Sequence, residues 1–307
     1  MKYYIGIDLG GTNIAAGLVN DEYRILQKMS VPTLADRGSD AIMEDIAMLC
    51  RKLCEAEGIT LDETEKIGIG IPGTVSTETG MVMYSCNLPL EKINVAEIIA
   101  GKCKKNVTVL NDADAAAYGE YVVSPEKSDS FVCITLGTGI GAGIIINGRI
   151  YNGFNGAGAE IGHTTLIKDG IQCSCGRKGC WEKYAAATAL VSQAKEAIEN
   201  NPFSLMAQAK EINGKVVFDA ADKGDKTALE VVEKYIEYVA DGLVNVVNVF
   251  QPSKVVIGGG ISHQGEAFVG RVCEYVYRYD YNRYLEKTEI TAATLFNDAG
   301  IIGAALY

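Results

Sequence analysis

Four residues near the middle of the chain have the types and spacing of a metal site: His163, Cys173, Cys175 and Cys180, within GAEIGHTTLIKDGIQCSCGRKGCWEKY. Three thiolates and one imidazole suit Zn²⁺, which prefers four sulfur or nitrogen ligands in a tetrahedron. That shell is full and leaves no position for water, so a structural zinc is expected rather than a catalytic one. Ordinary buried or reactive cysteines are the plainer alternative. Against it stand three Cys between residues 173 and 180, interleaved with Gly176 and Gly179, and the presence there of one of only two histidines. The spacing C-x-C-x4-C is not that of a zinc finger. Glu160 and Glu182 bracket the cluster closely enough for a metal to set their geometry. Nine cysteines are an odd number, and no basic segment precedes the first apolar strand. Both facts argue against a disulfide framework and for a reducing, cytoplasmic setting.

A second kind of chemistry is carried by glycine loops. Asp8–Thr12, Gly137–Gly141 and Gly258–Gly260 each follow an apolar strand. Such loops let backbone N–H groups approach phosphate oxygens. None is a P-loop, since G-x4-G-K-[ST] is absent. Gly68–Gly73 matches G-x-G-x-x-G literally, but Pro72 disfavours a helix start there. Three loops in order point to a nucleotide. Asp8 at the lip of the first would repel phosphates unless a cation lay between, which fits a role in holding Mg²⁺, through water or directly. A turn-forming aspartate is the alternative. Thr12 and Thr138 can each donate a hydroxyl hydrogen bond to phosphate or simply shape a turn.

A hydroxyl that attacks phosphorus needs a base. His163 is best used on the metal, and His263 reads as a surface residue. Asp112, where an apolar strand meets a helix beside Asn111, is the better candidate; phosphoryl transfer asks mainly for positioning and charge neutralisation. The alternative for Asp112 is an N-cap. Asp114 competes but is expected to cap or face solvent. Asn87, Asn111, Asp112, Glu160, His163 and Glu182 would form a set of polar groups for sugar hydroxyls. An imidazole that gives zinc one nitrogen can turn the other toward a substrate.

The elements that must position these residues are legible in outline. Strands are expected at Tyr3–Ile7 and Ile14–Val19, joined as a hairpin by Gly10-Gly11. A helix follows over Asp40–Glu57, with Ser39 as N-cap. Ile67, Ile69 and Ile71 form a strand, Val95–Lys102 a helix, Val107–Leu110 a strand and Ala113–Tyr121 a helix. Phe131–Leu136 and Ala142–Ile146 then repeat the opening hairpin: DLGGTNIAAGLVN aligns with TLGTGIGAGIIIN. An internal duplication is expected. Further on, Glu182–Glu199 and Lys226–Phe250 read as long helices, Val255–Ile257 and Glu289–Ala293 as strands, and Ala299–Leu306 as a closing helix. Tyr275, Tyr277, Tyr279, Tyr281 and Tyr284 crowd one segment, where packing on a helix or a subunit contact is expected.

At 307 residues the chain is long enough for two lobes. The division expected is 1–112 with about 297–307 as a smaller α/β lobe, and 113–296 as a larger one holding the zinc site. A net charge of −11 argues against nucleic acid, which requires a basic footprint. No apolar run reaches the roughly 18 residues of a membrane span.

At DLGGTN (Asp8–Asn13), GIGIPG (Gly68–Gly73), NDADAAAYGE (Asn111–Glu120), LGTGIGAG (Leu136–Gly143), GAGAEIGH (Gly156–His163), CSCGRKGCWE (Cys173–Glu182), VVIGGG (Val255–Gly260) and NDAGIIGAA (Asn297–Ala305), the sequence resembles the ROK family of bacterial sugar kinases and sugar-responsive repressors. It is most similar in look to the family's glucokinases. The resemblance implies an α/β, actin-like and hexokinase-like (ribonuclease H-like) two-lobed ATPase fold. It implies ATP and Mg²⁺, and transfer to the C6 hydroxyl of an aldohexose, glucose first. By motif, Asp112 takes the base role. Asn111, Glu160, His163 and Glu182 match sugar-binding positions. Gly10, Gly11, Thr12 and Thr138, with Gly139 in the same loop, match phosphate-binding positions, and Gly259 lies in the adenosine loop. The zinc ligands carry over without substitution, and a homodimer or homotetramer is implied. Leu90-Glu91 stands where many members have a tryptophan nearby, which touches the rim of the sugar site. No helix-turn-helix precedes Asp8, so the DNA-binding branch is not expected.

Two classes of function follow. One is an ATP-dependent hexokinase; a kinase for N-acetylmannosamine, N-acetylglucosamine, fructose or allose is a variant of it. The other is a non-catalytic sugar sensor, against which Asp112 and the glycine loops speak.

Overall fold

A computed structural model of the chain describes residues 1–85 and 87–307. In chain order the elements are β1 (Tyr3–Leu9), β2 (Asn13–Asn20), β3 (Ile25–Pro32), α1 (Ser39–Glu57), β4 (Thr64–Ile71), β5 (Thr74–Ser76), β6 (Met81–Tyr84), β7 (Glu91–Asn94), α2 (Val95–Cys103), β8 (Val107–Asn111) and α3 (Asp112–Val123). Then come β9 (Ser130–Leu136), β10 (Ile140–Ile146), β11 (Arg149–Ile150), α4 (Glu182–Ala185), α5 (Ala187–Asn200), α6 (Gly214–Asp222), α7 (Lys226–Phe250), β12 (Lys254–Gly258), α8 (Gly265–Tyr279), β13 (Glu289–Ala292) and α9 (Ala299–Leu306).

The duplication expected from the two hairpins extends to whole sheets. One sheet has the order β3-β2-β1-β4-β8 and the other β11-β10-β9-β12-β13. In the first, β1 and β2 pair antiparallel, as do β2 and β3, whereas β4 and β8 join in parallel. In the second, β9 pairs in parallel with β12 and β12 with β13. A third, small antiparallel sheet, β5-β6-β7, follows β4.

The chain divides into two compact units. One comprises Met1–Asp129, Gly143–Ala159 and Thr294–Tyr307; the other comprises Ser130–Ala142 and Glu160–Ala293. The first unit takes in α3 as well as 143–159, a wider set than 1–112 with 297–307, because α3 packs along α9.

In the first unit one face of the sheet is apolar. Ile5, Ile7, Leu9, Ile14, Ala16 and Leu18 are fully buried in one core with Ile42, Ile46 and Leu53 of α1 and Ile99 of α2. Across the opposite face runs a row of glycines. Gly6 pairs with Gly17 and Gly68, and Gly17 with Lys28, so these four form one row across the strands. A Cβ at Gly6 would overlap the carbonyl oxygen of Ile301, and one at Gly68 that of Ala304. The glycine row therefore lets α9 lie directly on the backbone of the sheet. Gly119 of α3 and Gly303 of α9 admit each other's helix in the same way.

In the second unit, α7 is the longest element, and its buried stripe includes Val232, Tyr235, Ile236, Val239, Leu243 and Val246. Gly242 on that stripe makes room for Trp181, whose indole N–H donates to the carbonyl of Tyr238 at 2.8 Å.

Three local expectations need correction. Ser39 is the first residue of α1, and Gly38, with φ 87°, is its N-cap. The helix expected over Glu182–Glu199 is two helices broken at Ala186, because the Ala187 amide donates instead to the carbonyl of Gly137 (2.9 Å). Asp114 is buried rather than solvent-facing, since it lies on the packed side of α3. Among the described residues, no helix is long and apolar enough to cross a membrane.

Candidate active site

The predicted site residues fall into two groups, each assembled inside one unit. In the first unit, Asp8 sits near the C-terminal end of β1, two residues beyond Gly6, and so faces α3 and α9. Asp112 is the first residue of α3. The capping alternative for it is answered by its neighbour: Asn111 Oδ1 accepts from the amides of Ala113 (2.8 Å) and Asp114 (3.4 Å). Asn111 also donates from Nδ2 to the carbonyl of Gly73 at 3.0 Å, which ties the strand end to the turn after β4. Asp112 Oδ1 accepts from the adjacent Ala113 amide, at 3.0 Å.

Both carboxyl groups are perturbed upward. Burial, then the charge of Asp112, pushes Asp8 up to about 6, with Lys28 pulling the other way. Burial also raises Asp112, partly offset by the Ala113 amide. Two desolvated carboxylates, one of them raised further by the charge of the other, call for a cation or a shared proton.

The loop beside Asp8 is pinned from below. The Thr33 hydroxyl donates to the Gly10 carbonyl at 2.6 Å, and the Thr33 amide to that of Thr12 at 2.8 Å. Gly11 and Thr12 are exposed, and a Cβ on Gly11 would lie 3.2 Å from Cβ of Asn87. Asp8, Gly10, Gly11, Thr12, Asn87, Asn111 and Asp112 thus belong to one surface of the first unit. Thr33 was not foreseen; its burial is a tertiary fact with no local sequence signal.

In the second unit, the ligand atoms of His163, Cys173, Cys175 and Cys180 all lie within 4.8 Å of one another. Cys173 Sγ is 3.6 Å from Nδ1 of His163, and Cys175 Sγ is 3.5 Å from that of Cys180. Tetrahedral zinc with bonds of about 2.3 Å requires sulfur atoms about 3.8 Å apart, so the donor set fits the ion. Burial and the neighbouring thiols push Cys180 up to about 12, while the backbone amide of Arg177 lowers Cys175. Gly176 and Gly179 have φ of 89° and 77°, and a Cβ at Gly179 would overlap the carbonyl of Ile167. The tight ligand loop therefore requires glycine at both positions.

Glu182 joins this cluster to the second glycine turn. Its Oε1 lies 3.8 Å from Cys173 Sγ, and its Oε2 accepts from the Ile140 amide at 3.2 Å. Its carboxylate occupies the space a Cβ on Gly139 would need. Exposed Thr138 is held through its carbonyl by the Thr188 hydroxyl, at 2.7 Å. Glu160 caps the short 3₁₀ turn Ile161–His163 and accepts the His163 amide through its carbonyl, at 3.1 Å. Gly259, with φ 83°, sits against the backbone of Leu136.

The ROK family model matches residues 4–307. The chain belongs to the ROK family. It is 35% identical to a glucokinase of Thermotoga maritima over 98% of this chain and 95% of that one. Among solved structures, a ROK glucokinase of Streptomyces griseus in complex with glucose and AMPPNP is 34% identical, with a TM-score of 0.83 over 99% of this chain and 98% of that one. A ROK hexokinase of Thermus thermophilus is 32% identical with the same TM-score, over 99% and 97%. The fold is accordingly of the actin-like, hexokinase-like class expected from the motifs, and its doubled sheet order is the structural form of the expected duplication.

Proposed function

We propose that the chain is an ATP-dependent hexokinase that phosphorylates the C6 hydroxyl of an aldohexose, with glucose as the preferred substrate. The observation that carries this reading is the Asp8–Asp112 pair: two desolvated carboxylates, one on a strand end beside a glycine loop and one opening a helix capped by a different residue. Full-length similarity to glucokinases supports it.

Asp112 takes the proton of the attacking hydroxyl. Its raised pKa improves the match to neutral pH. Asp8 would hold the Mg²⁺ that accompanies the nucleotide, whose charge would offset the repulsion between the two carboxylates. Gly10, Gly11, Thr12, Thr138 and Gly139 are the residues whose amides and hydroxyls suit phosphate oxygens. Gly259 contacts the adenosine. Asn87, Asn111, Glu160, His163 and Glu182 receive the sugar hydroxyls.

His163, Cys173, Cys175 and Cys180 would hold a zinc ion, whose charge offsets the thiolates and fixes the ligand loop. With Nδ1 of His163 directed to the thiols, Nε2 is left for a sugar hydroxyl. The proton transfer belongs to Asp112. A homodimer or homotetramer is the expected assembly.

The test is a coupled assay for ADP release with MgATP and a panel of sugars: glucose, mannose, fructose, allose, N-acetylglucosamine and N-acetylmannosamine. Glucose should give the highest kcat/KM. Sugar binding without ADP release from any member would overturn the kinase reading in favour of a sensor.

A further inference from the structure

Glu120 is a buried carboxylate that the proposed mechanism does not use. It is 4% exposed and lies on α3, eight residues after Asp112. Its two oxygens accept the Thr294 amide at 3.0 and 3.1 Å, the Thr294 hydroxyl at 3.0 Å and the Leu295 amide at 2.8 Å. A buried carboxylate satisfied by backbone amides is a strong, geometrically specific anchor. Here it grips the two residues that lead into α9.

That segment meets the rest of the unit at three further points. Lys28, at the edge of the glycine row, forms an ion pair with Asp298. Gly300, in the first turn of α9, sits so close to Asp8 that a Cβ on it would lie 3.3 Å from the carboxyl carbon. Gly119, the residue before Glu120, abuts the carbonyl of Ala299. The path from Glu120 to the Asp8 carboxylate is therefore a short run of backbone, Thr294–Gly300, fastened at both ends. Because Glu120 and Asp112 share one rigid helix, the same anchor relates the wall beside Asp8 to the position of Asp112.

We propose that Glu120 is a positioning residue for phosphoryl transfer: by clamping Thr294 and Leu295 it sets the first turn of α9 against Asp8 and holds that wall in register with Asp112. The proposal rests on the kinase reading above. It predicts a particular division of the kinetic effect. Asn87 and Asn111, the sugar contacts of this unit, lie outside the clamped segment, so loosening it should act on turnover and spare sugar affinity.

Glu120→Gln keeps the shape but replaces one acceptor oxygen with a donor that opposes the backbone amides. We expect kcat per folded molecule to fall about tenfold or more, with the KM for glucose within about twofold of wild type. Amide hydrogen exchange over 294–300 should quicken. Lys28→Met and Thr294→Val loosen the same segment while leaving the Glu120 carboxylate and its two backbone-amide partners in place. Measured as a pair, they should lower kcat in the same direction, which keeps the test decisive where Glu120→Gln does not fold. Lys28→Arg should restore the turnover that Lys28→Met loses. A folded Glu120→Gln protein with wild-type kcat, or one whose loss lies entirely in KM, overturns the proposal. A wild-type protein that phosphorylates no sugar overturns the kinase reading and this one together, whereas an active wild type matched by its variants overturns this one alone.

Discussion

Replacing Asp112 by Asn separates chemistry from architecture at this site. The substitution keeps an oxygen that can accept the Ala113 amide, and the cap of α3 is unaffected because Asn111 supplies it. What is lost is the proton acceptor and one negative charge. Removal of a positioned general base costs a factor of about 10² to 10⁴ in rate, which is about 2.7 to 5.4 kcal/mol of barrier. The fold should gain slightly. Asp112 is raised by burial, so its ionised form opposes folding, and its charge is the second cause of the upward push on Asp8. The expected result is a fall in kcat of at least about 100-fold, glucose affinity by calorimetry within a few-fold of wild type, and a melting temperature equal to or above wild type. A variant with kcat within about threefold of wild type would remove Asp112 from the base role. A variant that melts several degrees lower would show that Asp112, and not Asn111, secures the start of α3.

Asp8→Asn should stabilise the protein at pH 8 while abolishing turnover. A pKa raised from 3.8 to about 6 means the ionised group disfavours the fold by about 3 kcal/mol above pH 6. That penalty fades as pH falls from 6 toward 4, so urea titrations at pH 8 and pH 4 should show the gain only at the higher pH. Purified protein should carry one zinc per chain by metal analysis, and Cys175→Ser should lose both metal and sugar affinity; an active, zinc-free protein would refute the site. Gly242→Ala should cost about 1 to 3 kcal/mol, since its methyl overlaps the Trp181 indole. Calorimetry should find its melting transition lowered, with KM for glucose little changed in the folded fraction.

The doubled hairpin was readable because each strand pair is apolar, short and punctuated by glycine, and the same signals marked β4, β8, β12 and α9. The zinc ligands were readable because they are few and close in sequence. Other features were hidden for physical reasons. α8 begins at Gly265 after a residue that makes no side-chain cap bond, so no start signal precedes its buried face of Phe268, Val269, Val272 and Val276. The small sheet is built from strands of only three or four residues, too short for alternation to register. The break at Ala186 is made by a carbonyl almost fifty positions away, at Gly137. Glu120 was visible as part of a motif, but its partners at Thr294 and Leu295 come from the far end of the chain, and no local pattern announces such a bond.

The row of Gly6, Gly17 and Gly68 has a consequence for how the protein is made. Bare backbone on that face is useful only once Ile301 and Ala304 arrive to cover it. β1, β2 and β4 end by Ile71 and α9 begins only at Ala299, so the strands leave the ribosome well before their cover. Until then α3 can lie on that face without its partner helix, and Asp8 lacks the wall that Gly300 supplies. The environment that perturbs it is completed only once α9 has been made, so a nascent chain can carry every residue of the phosphate loop and still lack a working site.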